Sequence, residues 1–443
     1  MASNRGMMRS NTLFYQLLFI LFFVSYTGHY EFLMKTLILL ITAFLLVSCT
    51  SNKPTFSETP TRWMGPDGNG IYPDTGLMKE WPSEGPEILW VFEDLGIGFS
   101  SAVIQNGFIY TTGMTDSTGY LFKLNLKGEL MYSVPYGTEW TGSTPGTRGS
   151  PTVVYDKIYL VSGNGKVICF NQSDGSILWC KEMFEDFDGE NITWGINETP
   201  VVDGDLIFIT PGGKEYNVVA LDRHTGNLVW SCKGRGEVSA YCSSLLFEHN
   251  GRKILTTYTA GSLLGIDAGT GKLLWAVDAH WEWSVHSRTP IYEKGSIFFP
   301  TGLEVGGGRL RLNEEGDSVS LVWRNDVCDF RYTGLLLDGY IYGSFSDNKD
   351  LTWRCVDWIT GEEIYRTRDL AFGCAIFADG MLYIYASSGD LVLSQPDPGG
   401  FNITSRTKVT YGSGLHLAVP VIHNGILYIR HGNALITYDL KNT

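Results

Sequence analysis

Eight short hairpins restrict what this chain can fold into more than any other feature. "IQNGFIY", "VYDKIYL", "VDGDLIF", "EHNGRKIL", "YEKGSIFF", "LDGYIYG", "ADGMLYI" and "HNGILYI" each set a turn between two apolar runs. Asn-Gly and Asp-Gly accept the positive φ angles of type I′ turns, whose twist matches the flanking strands. The turn glycines are Gly107, Gly204, Gly251, Gly295, Gly339, Gly380 and Gly425, with Lys157 at the equivalent point of the second unit; the spacing is 41 to 50 residues. That is the period of a propeller blade and is too long for leucine-rich or ankyrin repeats.

A second signal alternates with the first. Trp90, Tyr132, Trp179, Trp230, Trp275, Trp323 and Tyr365 each close an apolar run, and "ITSRTKV" near Val409 is a degenerate eighth copy. In the best copies, "LDRHTGNLVW" and "IDAGTGKLLW", an Asp can bond turn N–H groups and a Gly supplies positive φ. The closing aromatic is expected to wedge between neighbouring blades. An outer-strand copy, "EILWVFED", precedes the first hairpin, and the chain ends at "ALITYDLKNT" after the eighth. Residues 86–93 can therefore supply the outer strand that the last blade lacks. The expected fold is all-β: an eight-bladed β-propeller of four-stranded antiparallel blades, closed by N- and C-terminal strands in one blade.

The N-terminus reads as a targeting region. Met34-Lys35 opens "MKTLILLITAFLLVSC", a basic start and a short apolar run ending at Ser48-Cys49. Leu46-Val47-Ser48-Cys49 resembles a bacterial lipobox, which makes Cys49 the expected lipidation site. The domains expected are a signal region over 1–48 with its true start at Met34, a lipid-anchored tether over 49–60, and the propeller over 61–443. Export with membrane anchoring, as an outer-membrane lipoprotein, follows. Without residues 1–48 the chain has 30 basic residues (33 less Arg5, Arg9 and Lys35) and 46 acidic ones (47 less Glu31), a balance of −16. Such a surface repels phosphate backbones, so no nucleic-acid partner is expected. Seven cysteines follow Cys49 without a CxxC pair; most sit in strand-like runs where a free Cys acts as a small hydrophobe, and export would permit a Cys232–Cys242 bridge.

The Asp-x-x-Thr-Gly-x-x-x-Trp copies resemble the tryptophan-docking repeats of PQQ-like eight-bladed propellers. That family includes quinoprotein alcohol dehydrogenases and the outer-membrane assembly lipoprotein BamB. "RWMGPDGNG", "WGINETPVVDGDLIFITPGG" and "YCSSLLF" are similar to a PQQ-like subgroup common among exported bacterial proteins.

In a propeller the segments entering the inner strands converge on one mouth of the central channel. Here they bring Arg148, Trp194, Asn197, Glu198, Tyr241, His286, Arg288, Asp329, Arg331 and His416. An acidic protein with Arg and His around one mouth can bind an anionic or polyhydroxylated ligand. The blander alternative is that these charges pair with one another and hold blades together. The resemblance implies that a quinoprotein would use Glu198 as a Ca²⁺ ligand beside PQQ and Asp329 as the base. The middle amide ligand lacks a counterpart, however, because His286 and Ser287 stand near its place, and the vicinal Cys pair of the alcohol dehydrogenases is absent. Loop-tip aromatics (Trp140, Trp194, Trp281, Trp283, Phe330, Tyr332, Phe372) suggest stacking on sugars, against the commoner role of capping seams between blades. The leading expectation is a monomeric, non-catalytic binding or scaffolding module, partnered by an envelope protein complex or a small polar ligand. The alternatives are a PQQ/Ca²⁺-dependent oxidoreductase acting on alcohols or sugars, and a glycan-binding propeller.

Overall fold

Asn106 and Gly107 both take positive φ, 54° and 78°, and turn the chain between Val103–Gln105 and Phe108–Thr115 in two residues. The same device recurs at Asn250, Asp338, Asp379 and Asn424, each followed by Gly. In the second unit Tyr155, not Lys157, holds the positive φ, at 51°. Lys157 instead opens the next strand, Lys157–Val161, so Asp156 is the counterpart of Gly107 and the turn lies one residue earlier than expected. The structure is a computed structural model. It describes residues 56–441 apart from 281–285, 288, 302–305, 327–329 and 347–350, with the side chains of 330–333, 345, 346 and 351 also outside the description.

The hairpins build eight antiparallel sheets in chain order. Blade 1 runs from inner strand Val103–Gln105 to outer strand Leu130–Thr138, and blade 2 from Thr152–Val154 to Ile177–Glu182. Blade 3 spans Val201–Asp203 to Leu228–Cys232, and blade 4 spans Leu245–His249 to Leu273–Asp278. Blade 5 spans Ile291–Glu293 to Val319–Asn325, and blade 6 spans Phe330–Leu337 to Glu363–Thr367. Blade 7 spans Gly373–Ala378 to Asn402–Lys408. Blade 8 has inner strand Val421–His423 and takes its outer strand, Ile88–Phe92, from the N-terminal side, pairing Ile88 with Tyr438 and Phe92 with Leu435. The ring is an eight-bladed β-propeller closed as its sequence implies. One sheet departs from four strands: Ile71–Tyr72 adds to blade 7 in parallel, alongside Phe377 and Ala378.

The repeated aromatics fix the blades to one another. Each outer strand breaks register just before its aromatic position, between Ile177 and Trp179 in blade 2 for example. Such a bulge bends the strand and re-aims the next side chain. The indole N–H then donates to a carbonyl at the turn of the following blade: Trp90 to Leu126 (3.1 Å), Trp179 to Arg223 (3.0 Å), Trp230 to Ala268 (3.1 Å) and Trp323 to Trp358 (3.1 Å). The ring lies against that turn's glycine; a Cβ on Gly271 would sit 2.6 Å from Trp230. Nearer the channel, hydroxyls stitch adjacent blades. Ser150 accepts from the Ser101 N–H (3.0 Å), Thr152 donates to Pro200 O (2.6 Å), Ser243 accepts from the Thr199 N–H (2.9 Å) and Thr289 donates to Ser243 O (3.1 Å).

The segment before the propeller strands crosses the hairpin end of the channel. Ser57 accepts from the Tyr155 N–H, and Thr61 bridges Val153 in blade 2. Arg62 donates to Ser244 O at the start of blade 4 (3.3 Å). The chain then turns through Gly65–Gly70 and pairs with blade 7, and Asp74 accepts from the Gly425 N–H in the blade 8 hairpin (2.8 Å). "RWMGPDGNG" is thus a strap over one end of the channel, which leaves the other end as the mouth. No helix among the described residues is long and apolar enough to cross a membrane.

Candidate functional site

The mouth is built from the segments that lead into the inner strands, because a short inner strand with a proline or small residues at its start leaves the preceding side chains pointing around the opening. Arg148 is buried there. Its guanidinium donates to Gly146 O (2.7 Å), Ser143 O (2.7 Å) and Thr144 O (2.8 Å), and it lies 5.9 Å from the Trp140 ring. Arg148 thus clamps the carbonyls of its own loop, and its charge also acts on the nearby Glu139 carboxyl. Replacing Arg148 with Met should loosen residues 143–146 and cost about 1–3 kcal/mol, the usual loss for stranding buried acceptors. Equilibrium urea unfolding and backbone amide exchange across 140–148 read both effects.

Glu198 is buried between blades 3 and 4. One carboxylate oxygen accepts from the Thr210 N–H (3.1 Å) and the other from the Thr210 hydroxyl (3.3 Å), which also lies 3.2 Å from the Thr257 hydroxyl. Burial pushes this carboxyl up to about 8, opposed by those bonds. Two neighbouring glutamates do similar work. Glu139 accepts from the N–H groups of Trp140 (2.8 Å) and Gly163 (2.7 Å) and from the Tyr136 hydroxyl (2.6 Å). Glu237 accepts from the Gly261 N–H (3.3 Å), the Ser262 hydroxyl (3.1 Å) and the Thr259 hydroxyl. In three successive blades a Glu carboxyl group thus caps backbone N–H groups at the mouth. Reading Glu198 alone as a metal ligand missed this series.

His286 is also buried. It stacks on Tyr258 at 4.6 Å and 13°, its Nε2 faces Ala260 O at 3.4 Å, and burial lowers it to about 4, so it is neutral. His416 stacks on His431 at 3.8 Å, and its Nδ1 meets the Tyr385 hydroxyl at 2.5 Å. Burial, with His431 second, lowers His416 to about 4. Tyr241, Trp194 and Asn197 are half-buried. Burial raises the Tyr241 hydroxyl, and the Arg148 guanidinium opposes that rise. The structure thus gathers Arg148, Trp194, Asn197, Glu198, Tyr241 and His286 along blades 2 to 5 and puts His416 across the ring in blade 8. Asp329, Arg288, Trp281 and Trp283 lie outside the described residues, as does Cys49, and the Arg331 side chain is not described. Cys232 and Cys242 are both free and buried, so the suggested bridge is not formed.

Both oxygens of Glu198 are engaged by Thr210, and no group of three metal-ligating His, Cys, Asp or Glu side chains occurs among the described residues. Trp140 caps the seam between blades 2 and 3, where its indole donates to Ser143 O (3.0 Å) and a Cβ on Gly195 would touch its ring. That is the commoner role for a loop aromatic rather than a free sugar platform. A feature the sequence reading passed over is apolar. Ile97, Tyr411 and Leu415 are 50%, 42% and 53% exposed on mouth loops. Asn433 ties those loops together, bonding Ser413 (2.8 Å), Glu93 O (2.8 Å) and the Leu95 N–H (3.1 Å).

The family model described as outer membrane protein assembly factor BamB matches residues 125–282. BamB from Moraxella catarrhalis is similar in structure with a TM-score of 0.57 at 14% identity, covering 80% of this chain and 99% of that one. A quinohemoprotein alcohol dehydrogenase from Comamonas testosteroni gives 0.62 at 11% identity, covering 90% and 82%. The computationally designed Ika8 protein gives 0.55 at 13%, covering 80% and 100%. No curated protein matches the sequence. At these identities the structural likenesses speak to fold alone. The family match thus places PQQ-like repeat sequence over residues 125–282 of an eight-bladed β-propeller.

Proposed function

We propose that this propeller is a non-catalytic docking module of the cell envelope, tethered by a lipid on Cys49 and binding a protein complex through its mouth face. One observation carries the reading: among the described mouth residues Arg148 and Glu198 are bonded to the protein's own backbone, while Ile97, Tyr411 and Leu415 stay open on tied loops. Exposed apolar groups on a braced scaffold favour protein contact over chemistry. The BamB family match agrees with an envelope partner.

The test has two arms. The pair Ile97→Asp and Leu415→Asp should leave the melting temperature unchanged and abolish photo-crosslinking from Tyr411 to its partner in cells. In the other arm, tryptophan fluorescence should report no saturable PQQ binding at micromolar concentrations with Ca²⁺. Binding that Glu198→Ala removes would overturn the reading in favour of an oxidoreductase.

A further inference from the structure

The strap leaves one arc of the inner ring uncovered. The inner strands of blades 1 and 2 are buried along their whole length, and that of blade 7 at all but one residue. In blade 4, by contrast, Leu245 and Leu246 are both partly exposed, and in blade 5 Ile291, Tyr292 and Glu293 all are. Side chains alternate faces along a strand. When consecutive residues open together, the strand's edge meets the space, with its N–H and C=O groups. A cleft of about 310 Å³ lies there, with Trp63, Met64 and Ile71 of the strap on one side and these edges on the other. Asp67 and Glu293 are the charged groups among its described lining residues, and the Arg62 guanidinium beside Gly68 acts on Asp67 from the strap side. Glu293 also meets Lys294 at 3.0 Å, but that lysine is 90% exposed and such pairs contribute little.

The strap itself demonstrates how an inner edge is used. Thr61 bridges Val153 antiparallel, and Ile71–Tyr72 pairs in parallel with Phe377 and Ala378. None of its described backbone bonds reaches Leu245–His249 or Ile291–Glu293. We propose that this cleft binds an extended peptide segment carrying a basic residue. The segment adds as a strand to the edge of Ile291–Glu293, with its cation between Asp67 and Glu293 and its apolar side chains against Trp63 and Leu336. The site lies at the hairpin end of the channel and does not depend on the reading of the mouth.

Binding of dansylated acetyl-Lys-Val-Lys-Val-amide to the full-length protein, read by fluorescence anisotropy, tests this. The expected result is saturable binding, weakened about tenfold or more by backbone N-methylation, the loss of one or two hydrogen bonds. Asp67→Asn with Glu293→Gln should weaken it comparably, and Ile97→Asp at the mouth should not change it. Equal binding of the N-methylated peptide, displacement by n-butylammonium alone at the same concentration, or no saturation at millimolar peptide would each overturn the proposal.

Discussion

Trp230→Ala should lower stability by about 3–5 kcal/mol, the range for emptying a buried aromatic site. Trp230 is 8% exposed, packs 5.7 Å from Phe208, and donates to Ala268 O in the next blade. Its removal opens a void between blades 3 and 4 and strands a carbonyl. Gly271→Val should be comparably damaging for a complementary reason. The residue sits at φ +75°, where a β-branched side chain is strained, and the new Cβ would press on the indole. The two sites are coupled. Gly271→Ala should cost distinctly less in the Trp230→Ala background, because the steric part vanishes and only the backbone part remains. Urea unfolding of the four proteins measures this cycle. A Trp230→Ala loss below about 1 kcal/mol, or strict additivity, would show that the ring is not what joins the blades.

The same joint explains what could be read from the sequence. Turn glycines and closing aromatics are local signals with fixed spacing, so the blade count and ring closure were legible. Exceptions arose where a partner comes from far away in the chain. Ser405 stands where blade 7 should have its aromatic, and Trp81 from the N-terminal side fills in. The Trp81 N–H donates to the Ser405 hydroxyl (2.8 Å), and its ring lies 6.3 Å from Tyr383. The degenerate eighth motif is small so that this ring fits. Trp275 packs on Gly265 of its own blade, while His249 bonds Asn313 O (2.8 Å) at the joint with blade 5. The strap and its parallel strand carry no periodic signal, since two residues of pairing leave none. At the mouth, residue types were legible but their partners were not. An Arg clamped on carbonyls 2 to 5 residues away in sequence looks the same as an Arg free for a ligand.

Glu198 and His286 give the mouth a pH signature. Glu198 keeps its proton up to about pH 8 in the folded protein but only to about 4.5 when unfolded. Between these values the native state holds the extra proton, so stability falls as pH rises. His286 runs the other way. Folded it protonates only near pH 4, against 6.5 unfolded, so its contribution is complete above 6.5 and is lost as pH falls toward 4. From about 4.5 to 6.5 the two slopes oppose each other. From 6.5 to 8 Glu198 acts alone, and the parent should lose stability across that window, on the order of 2 kcal/mol. Glu198→Gln keeps an acceptor for the Thr210 N–H without the buried charge. It should flatten the curve above pH 6.5 and leave the variant more stable than the parent at pH 8. Calcium supplies an independent check on the same carboxyl. A cation bound to Glu198 would displace its proton and remove the slope in the parent, whereas a structural cap engaged with Thr210 leaves the slope unchanged at millimolar Ca²⁺.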